Sequence, residues 1–205
     1  MRLVFDLGGV VLRWQPESFL VRLLPERVPD AVAARAFVAG FFEGFGGDWA
    51  EFDRGRIAPD LLAERAAARV GGLTAAEARR LIDAVPEELQ PVPEVVALLR
   101  RLREGGHRLH FLSNMPLAYA ARLEASHAVF GLFESGVFSS RVNLIKPEAA
   151  LFAHAAEVFG ETPAGLLLID DNETNVAAAR RAGWRGLHFE AADPCETELR
   201  RQGRL

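Results

Sequence analysis

Apolar and polar positions along the chain fall into three stretches with different periods. Leu3 to Asp6 is a short apolar run ending in a carboxylate, which predicts a buried strand. Gly8 and Gly9 break it, and Val10 to Leu12 are apolar again. From about Trp14 to Glu88 the spacing becomes helical, as in Leu61-Leu62-Ala63-Glu64-Arg65-Ala66 and Ala75 to Val85. No buried strand is evident there, so the stretch reads as a small helical domain. Gly44 to Asp48 reads as a loop within it, and Thr74 with Glu77 forms a capping box.

After Pro91 and Pro93 the pattern alternates. It predicts helices over Glu94 to Glu104, Leu117 to Ser126, Glu148 to Phe159 and Glu173 to Ala182. Strands are predicted over Arg108 to Ser113, Val137 to Ser140, Leu166 to Asp170 and Arg185 to Phe189. Strands alternating with helices predict an α/β fold, a Rossmann-like parallel sheet covered on both faces. The expected division is a core from residues 1–14 and 89–205 and a helical insertion from 15–88.

Composition narrows the function classes. With a net charge of −4, the chain has no electrostatic footprint for nucleic acid or an anionic membrane. No apolar stretch is long enough to span a bilayer, and Asp6 stands where a signal peptide would be apolar. Cys195 is the only cysteine, so no internal disulfide or cysteine zinc cluster can form. A cytoplasmic location is expected. Lys146 is the only lysine. Where arginine serves elsewhere, the surviving ammonium is a candidate for a task that a planar guanidinium cannot perform.

Open parallel sheets bind ligands at the carboxyl ends of their strands. Asp6, Ser113-Asn114 and Asp170-Asp171 stand at such ends, and Lys146 lies in a loop before a helix, followed by Pro147. Carboxylates suit a hard cation, and an ammonium with backbone amides suits a phosphate. Singly, each feature has a plainer reading. Asp6 is a strand end, Ser113-Asn114 a turn, Asp170-Asp171 a helix cap and Lys146 a solvated cation.

Taken in order, Phe-Asp-Leu-Gly-Gly-Val, Leu-Ser-Asn, Lys-Pro and Ile-Asp-Asp-Asn resemble the four motifs of the haloacid dehalogenase-like superfamily. Trp49-Ala50-Glu51-Phe52-Asp53-Arg54-Gly55-Arg56-Ile57 resembles the helical cap of its epoxide-hydrolase-like and glucose-1-phosphate phosphatase branch. The resemblance implies a magnesium-dependent phosphatase acting on a small phosphorylated metabolite, a sugar phosphate being one candidate. It implies that Asp6 attacks phosphorus and becomes an aspartyl-phosphate. Ser113, Lys146 and the amide of Asn114 would hold the phosphoryl oxygens. Magnesium would sit among Asp6, the carbonyl of Gly8 and Asp171, with Asp170 as direct or supporting ligand and Asn175 orienting Asp171.

One position departs from the family pattern. The commonest phosphatases carry a second aspartate two residues after the nucleophile as general acid and base, and here that residue is Gly8. Without it, leaving groups that need little protonation, such as acyl phosphates and sugar 1-phosphates, are expected to be favoured. A carboxylate from the helical insertion, Glu43, Asp48 or Asp53, is an alternative source of the proton. Three other functions stay open: a metal-independent dehalogenase, a non-catalytic phospho-ligand binder, and an actin-like sugar kinase, for which the chain is short. No histidine is assigned a catalytic role. Phe41, Phe42, Phe45 and Trp49 are expected to pack within the helical insertion, and Cys195 to be an inert thiol.

Overall fold

The computed structural model describes residues 2–203, apart from the side chain of Phe45. Five parallel strands form one sheet in the order β3-β2-β1-β4-β5: β1 (Arg2–Phe5), β2 (Leu109–Ser113), β3 (Ser135–Phe138), β4 (Leu166–Asp170) and β5 (Arg185–His188). β1 lies at the centre, with Phe5 paired to Phe111 of β2 and to Ile169 of β4. The carboxyl ends of β1, β2 and β4 therefore lie side by side, which brings the three predicted strand-end motifs together.

Alternation along the strands divides the core into two layers. Leu3, Phe5, Leu109, Phe111, Leu167 and Ile169 pack on one face, and Val4, Leu112, Leu166 and Leu168 on the other. The first face is covered by α6 (Pro93–Glu104), through Val95, Leu98, Leu99 and Leu102. The second is covered by α9 (Ala149–Phe159) and α10 (Glu173–Arg181), through Leu151, Phe152, Ala155, Phe159, Ala178 and Ala179. Gly160 (φ 60°) and Gly183 (φ 84°) close these two helices in the left-handed conformation.

Between β1 and α6 the chain forms α1 (Pro16–Leu23), α2 (Ala31–Phe42), α3 (Gly47–Asp53), α4 (Pro59–Arg69) and α5 (Ala75–Glu88). It leaves and returns along one path, since Arg13 N–H donates to Gln90 O (2.8 Å) and Val92 N–H donates to Val11 O (2.9 Å). The capping box at Thr74 is formed as read from sequence. Remaining helices are α7 (Leu117–Ser126), α8 (Ser139–Val142) and α11 (Ala192–Arg201). Among the described residues no helix is long and apolar enough to cross a membrane.

Three sequence expectations need correction. The loop expected over Gly44 to Asp48 is mostly helical: a single 3₁₀ turn spans Glu43–Phe45 and α3 begins at Gly47. Glu43 holds the junction by accepting from Asp48 N–H (2.8 Å). The third strand begins two residues before its expected start at Val137, because Gly136 is a strand residue rather than a breaker. A Cβ there would lie 2.1 Å from the ring of Phe111, so only glycine fits. Its other end stops at Phe138, where Ser139 Oγ accepts from Met115 N–H (2.8 Å) and donates to Asp53 O (2.5 Å), turning the chain into α8. Finally, α11 lies beyond the last predicted element. It buries little more than Cys195 and Leu199, too few apolar positions to show a period.

Candidate active site

Asp6 directly follows β1, and its N–H donates to Ile169 O of β4 (2.9 Å). Its Oδ1 accepts from Leu7 N–H (2.7 Å), and its Oδ2 lies 2.8 Å from Lys146 Nζ. The same ammonium donates to Asp170 Oδ2 at 2.6 Å. Lys146 is 3% exposed, far from the solvated loop cation of the plainer reading. Burial works against its charge, but Asp170 and Asp6 outweigh that and push it up to about 12.

Asn114 sets the position of Lys146. Its Oδ1 accepts from Lys146 N–H (2.8 Å) and its Nδ2 donates to Lys146 O (3.0 Å). This two-way bond ties the end of β2 to the loop before α9. Sequence reasoning assigned Asn114 only its backbone amide; an asparagine after a strand-end serine was the available signal for the side chain. Ser113, buried at the end of β2, lines the cavity beside Asp6 and Lys146.

Asp170 is fully buried and saturated with donors. Besides Lys146 it accepts from Asn172 N–H (2.9 Å) and from Asn175 Nδ2 (3.1 and 3.2 Å). This corrects the expectation that Asn175 orients Asp171. Successive residues at a strand end point to opposite sides, and it is Asp170 that turns toward α10. Asp171 turns toward the loop after β1 instead. A Cβ on Gly9 (φ 79°) would lie 2.3 Å from Asp171 Oδ2, so this glycine permits the approach.

Asp6, Asp170 and Asp171 each present an oxygen within 4.8 Å of the others. Burial pushes the carboxyls of Asp6 and Asp171 up; Lys146 pulls both down, and neighbouring carboxylates add to the rise. One ammonium does not balance three carboxylates. The donor set, all hard oxygen with surplus negative charge, fits a divalent cation such as magnesium.

Above this floor is a cavity of about 170 Å³. Its opposite wall is mainly apolar, formed by Trp14, Trp49, Val85, Leu89, Met115 and Tyr119. Tyr119 donates its hydroxyl to Ile82 O (2.5 Å). Phe41 and Phe42 are buried and pack on Trp49 at ring distances of 6.1 and 4.4 Å. Trp49 thus serves packing and cavity wall together. Among the carboxylates of the helical segment, Asp53 also lines the cavity. Sequence reasoning did not identify the wall, because its residues come from four separate parts of the chain.

Among the described residues no histidine lines the cavity. His110 lies in β2, stacked 4.6 Å from the ring of Phe159, and burial pushes it down to about 4. His188 Nε2 donates to Asp171 O (2.9 Å) and so supports that backbone. Cys195 is buried and its thiol pushed up to about 12, which keeps it protonated.

Known proteins resemble the chain over nearly its whole length. It is 26% identical over 198 residues to the sesquiterpene phosphatase astK of Aspergillus oryzae, covering 96% of this chain and 93% of that one. A HAD family enzyme, bt-2542, from Bacteroides thetaiotaomicron superposes with a TM-score of 0.73 at 21% identity, over 97% of both chains. That enzyme has also been solved in complex with magnesium and inorganic phosphate. The L-2-haloacid dehalogenase of Xanthobacter autotrophicus shares the fold, with a TM-score of 0.68 at 21% identity, over 100% of this chain and 84% of that one. The family model of haloacid dehalogenase-like hydrolases matches residues 2–183, and with the motif residues gathered at one sheet edge the chain belongs to that family.

Proposed function

We propose that the protein is a magnesium-dependent phosphatase that hydrolyses a small phosphorylated metabolite through an aspartyl-phosphate on Asp6. The observation that carries this reading is the placement of Lys146 Nζ between Asp6 and Asp170, with Asp171 and Ser113 beside them. Asp6 Oδ attacks phosphorus as the ester bond breaks. Ser113, Lys146 and the Asn114 amide hold the phosphoryl oxygens, and Asn114's side chain keeps Lys146 in place. Magnesium would be held by Asp6, the Gly8 carbonyl and Asp171. When bound it would offset the repulsion between the anionic nucleophile and the anionic phosphate. Asp170, occupied by Lys146 and Asn175, acts as support rather than as a direct ligand.

Residues 15–88 form the cap in this reading, and Trp49, Asp53 and Val85 of the cap join Trp14, Leu89, Met115 and Tyr119 from outside it in the wall that meets the organic part of the substrate. That wall offers few partners for sugar hydroxyls, since the Tyr119 hydroxyl is already committed to Ile82 O. It favours an ester with an apolar organic group over a sugar phosphate. A relative that is a sesquiterpene phosphatase supports the same choice.

Phosphate release from an aryl phosphate tests the reading. Wild type is expected to release phosphate only with magnesium, and Asp6→Asn to lose turnover while keeping its circular dichroism spectrum. Full activity in folded Asp6→Asn, or after thorough chelation, sinks it; the latter result favours the metal-independent dehalogenase.

A further inference from the structure

With Gly8 two residues beyond Asp6, the loop after β1 brings no acid to the departing oxygen. Positioned acid–base catalysis is worth about 10²–10⁴ in rate, so its source matters. The structure separates the three carboxylates of the helical segment. Asp48 is held by Arg65 (2.6 Å) and Arg69 (3.1 Å). Glu43 accepts from Asp48 N–H and pairs with Arg69 (3.1 Å). Both are committed to structure within the helical segment.

Asp53 differs in each respect. It ends α3, is buried, and lines the same cavity as Asp6, Ser113 and Lys146. Among the described residues no group donates to its carboxyl oxygens and no cation pairs with it. Arg54, next in the chain, turns away to Glu148 and Glu51. Lys146 is already shared by Asp6 and Asp170, and Tyr119 donates elsewhere. The backbone of Asp53 is anchored, because its carbonyl accepts from Ser139 Oγ at the end of β3. A buried carboxyl without partners holds its proton. Burial, with the charge of Asp6 added and Lys146 opposing, pushes this one up to about 8.

We infer that Asp53 is the general acid and base of the reaction, supplied by the helical segment in place of the aspartate absent at Gly8. The inference rests on the phosphatase reading above. As Asp6 Oδ bonds to phosphorus, the ester P–O bond breaks and its electron pair stays on the leaving oxygen, which takes the proton of Asp53. The alcohol departs. The Asp53 carboxylate then takes a proton from a water whose oxygen attacks the aspartyl-phosphate at phosphorus. The bond to Asp6 breaks, phosphate leaves, and both side chains return to their starting states. The preference for acidic leaving groups expected from Gly8 alone then disappears.

The test is kcat/KM for wild type and Asp53→Asn, with magnesium, over aryl and alkyl phosphates of graded leaving-group acidity. The amide is isosteric with the neutral acid. Wild type is expected to show a shallow dependence. Asp53→Asn should lose about 10²–10⁴-fold on alkyl esters and under about tenfold on nitrophenyl phosphate, with a burst of nitrophenol as phosphoenzyme accumulates. Gly8→Asp added to Asp53→Asn should restore alkyl ester hydrolysis, since a Cβ at Gly8 meets nothing within 4 Å. An equal loss across the series, or a steep dependence in wild type itself, overturns the inference and leaves the phosphatase reading standing. Absence of magnesium-dependent release by wild type overturns both.

Discussion

The floor and the opposite wall of the cavity are built on different physical principles. On the floor, Lys146 Nζ lies within 2.8 Å of both Asp6 and Asp170, and each of the three is fixed by a named hydrogen bond. On the wall, Trp14, Trp49 and Tyr119 are placed by ring packing, Trp14 against Phe42 at 5.5 Å and Phe52 against Tyr119 at 5.5 Å. Short polar contacts tolerate almost no displacement, because their energy depends on distance and direction. Aromatic packing tolerates exchange if volume is kept. The floor is therefore suited to one chemistry and the wall to changing substrates.

Substitutions on each side should break this contrast in different ways. Among substitutions that leave Asp6 and Asp53 in place, Lys146→Arg is expected to have the largest effect, a loss on the order of 10²–10³ in kcat, similar to losing one preorganised donor. A guanidinium is broader than the space between Asp6 and Asp170, and Lys146 and Asp170 are buried. Wild-type turnover in Lys146→Arg would make the lone lysine a matter of composition only.

Asp53 stands where floor and wall meet, and its proton links it to stability. The unfolded chain sheds this proton near 3.8, whereas the folded protein holds it to about 8. The stability from the neutral carboxyl is thus full below about pH 4 and lost as pH rises through about 8. Between these limits the loss approaches about 1.4 kcal/mol per pH unit. Asp53→Asn removes the titration. Its stability relative to wild type should therefore rise by about 2.6 kcal/mol from pH 5 to pH 7, measured by urea denaturation with chelator present. A difference that does not change with pH would mean that Asp53 is ionised in the fold.

Trp14→Ala should have the smallest effect, and on selectivity rather than rate. Loss of one half-buried ring from the wall is expected to raise KM for apolar phosphate esters by about tenfold, or about 1.4 kcal/mol, with kcat for acetyl phosphate unchanged. Equal changes for both substrates would place Trp14 in the phosphate site instead.

Most of the floor was legible before the fold was known. Asp6, Ser113, Lys146 and the pair Asp170-Asp171 carry motif order, and strand-end position is a local property that a short apolar run announces. The direction each side chain takes was less legible. Asn175 was assigned to Asp171 because spacing gives a helical turn but not which neighbouring carboxylate faces it; the bond goes to Asp170. The wall was not legible at all. Val85 and Tyr119 read as ordinary core positions in helical patterns, which they also are.

The sequence by itself determined the α/β alternation, the helical stretch between β1 and α6, the capping box at Thr74 and the motif residues Asp6, Ser113, Lys146 and Asp171 that meet at one cavity. These follow from periodicity and from residue types whose preferences act over a few neighbours. Only tertiary structure decided that Gly136 belongs in a strand, that Asn114 holds Lys146, and that Asp53 rather than Glu43 or Asp48 faces the cavity. Each of those depends on a partner far away in the chain: the ring of Phe111, the loop before α9, and the hydroxyl of Ser139. Burial and partnership arise only when distant segments close on one another, and they decide which of several similar carboxylates keeps its proton.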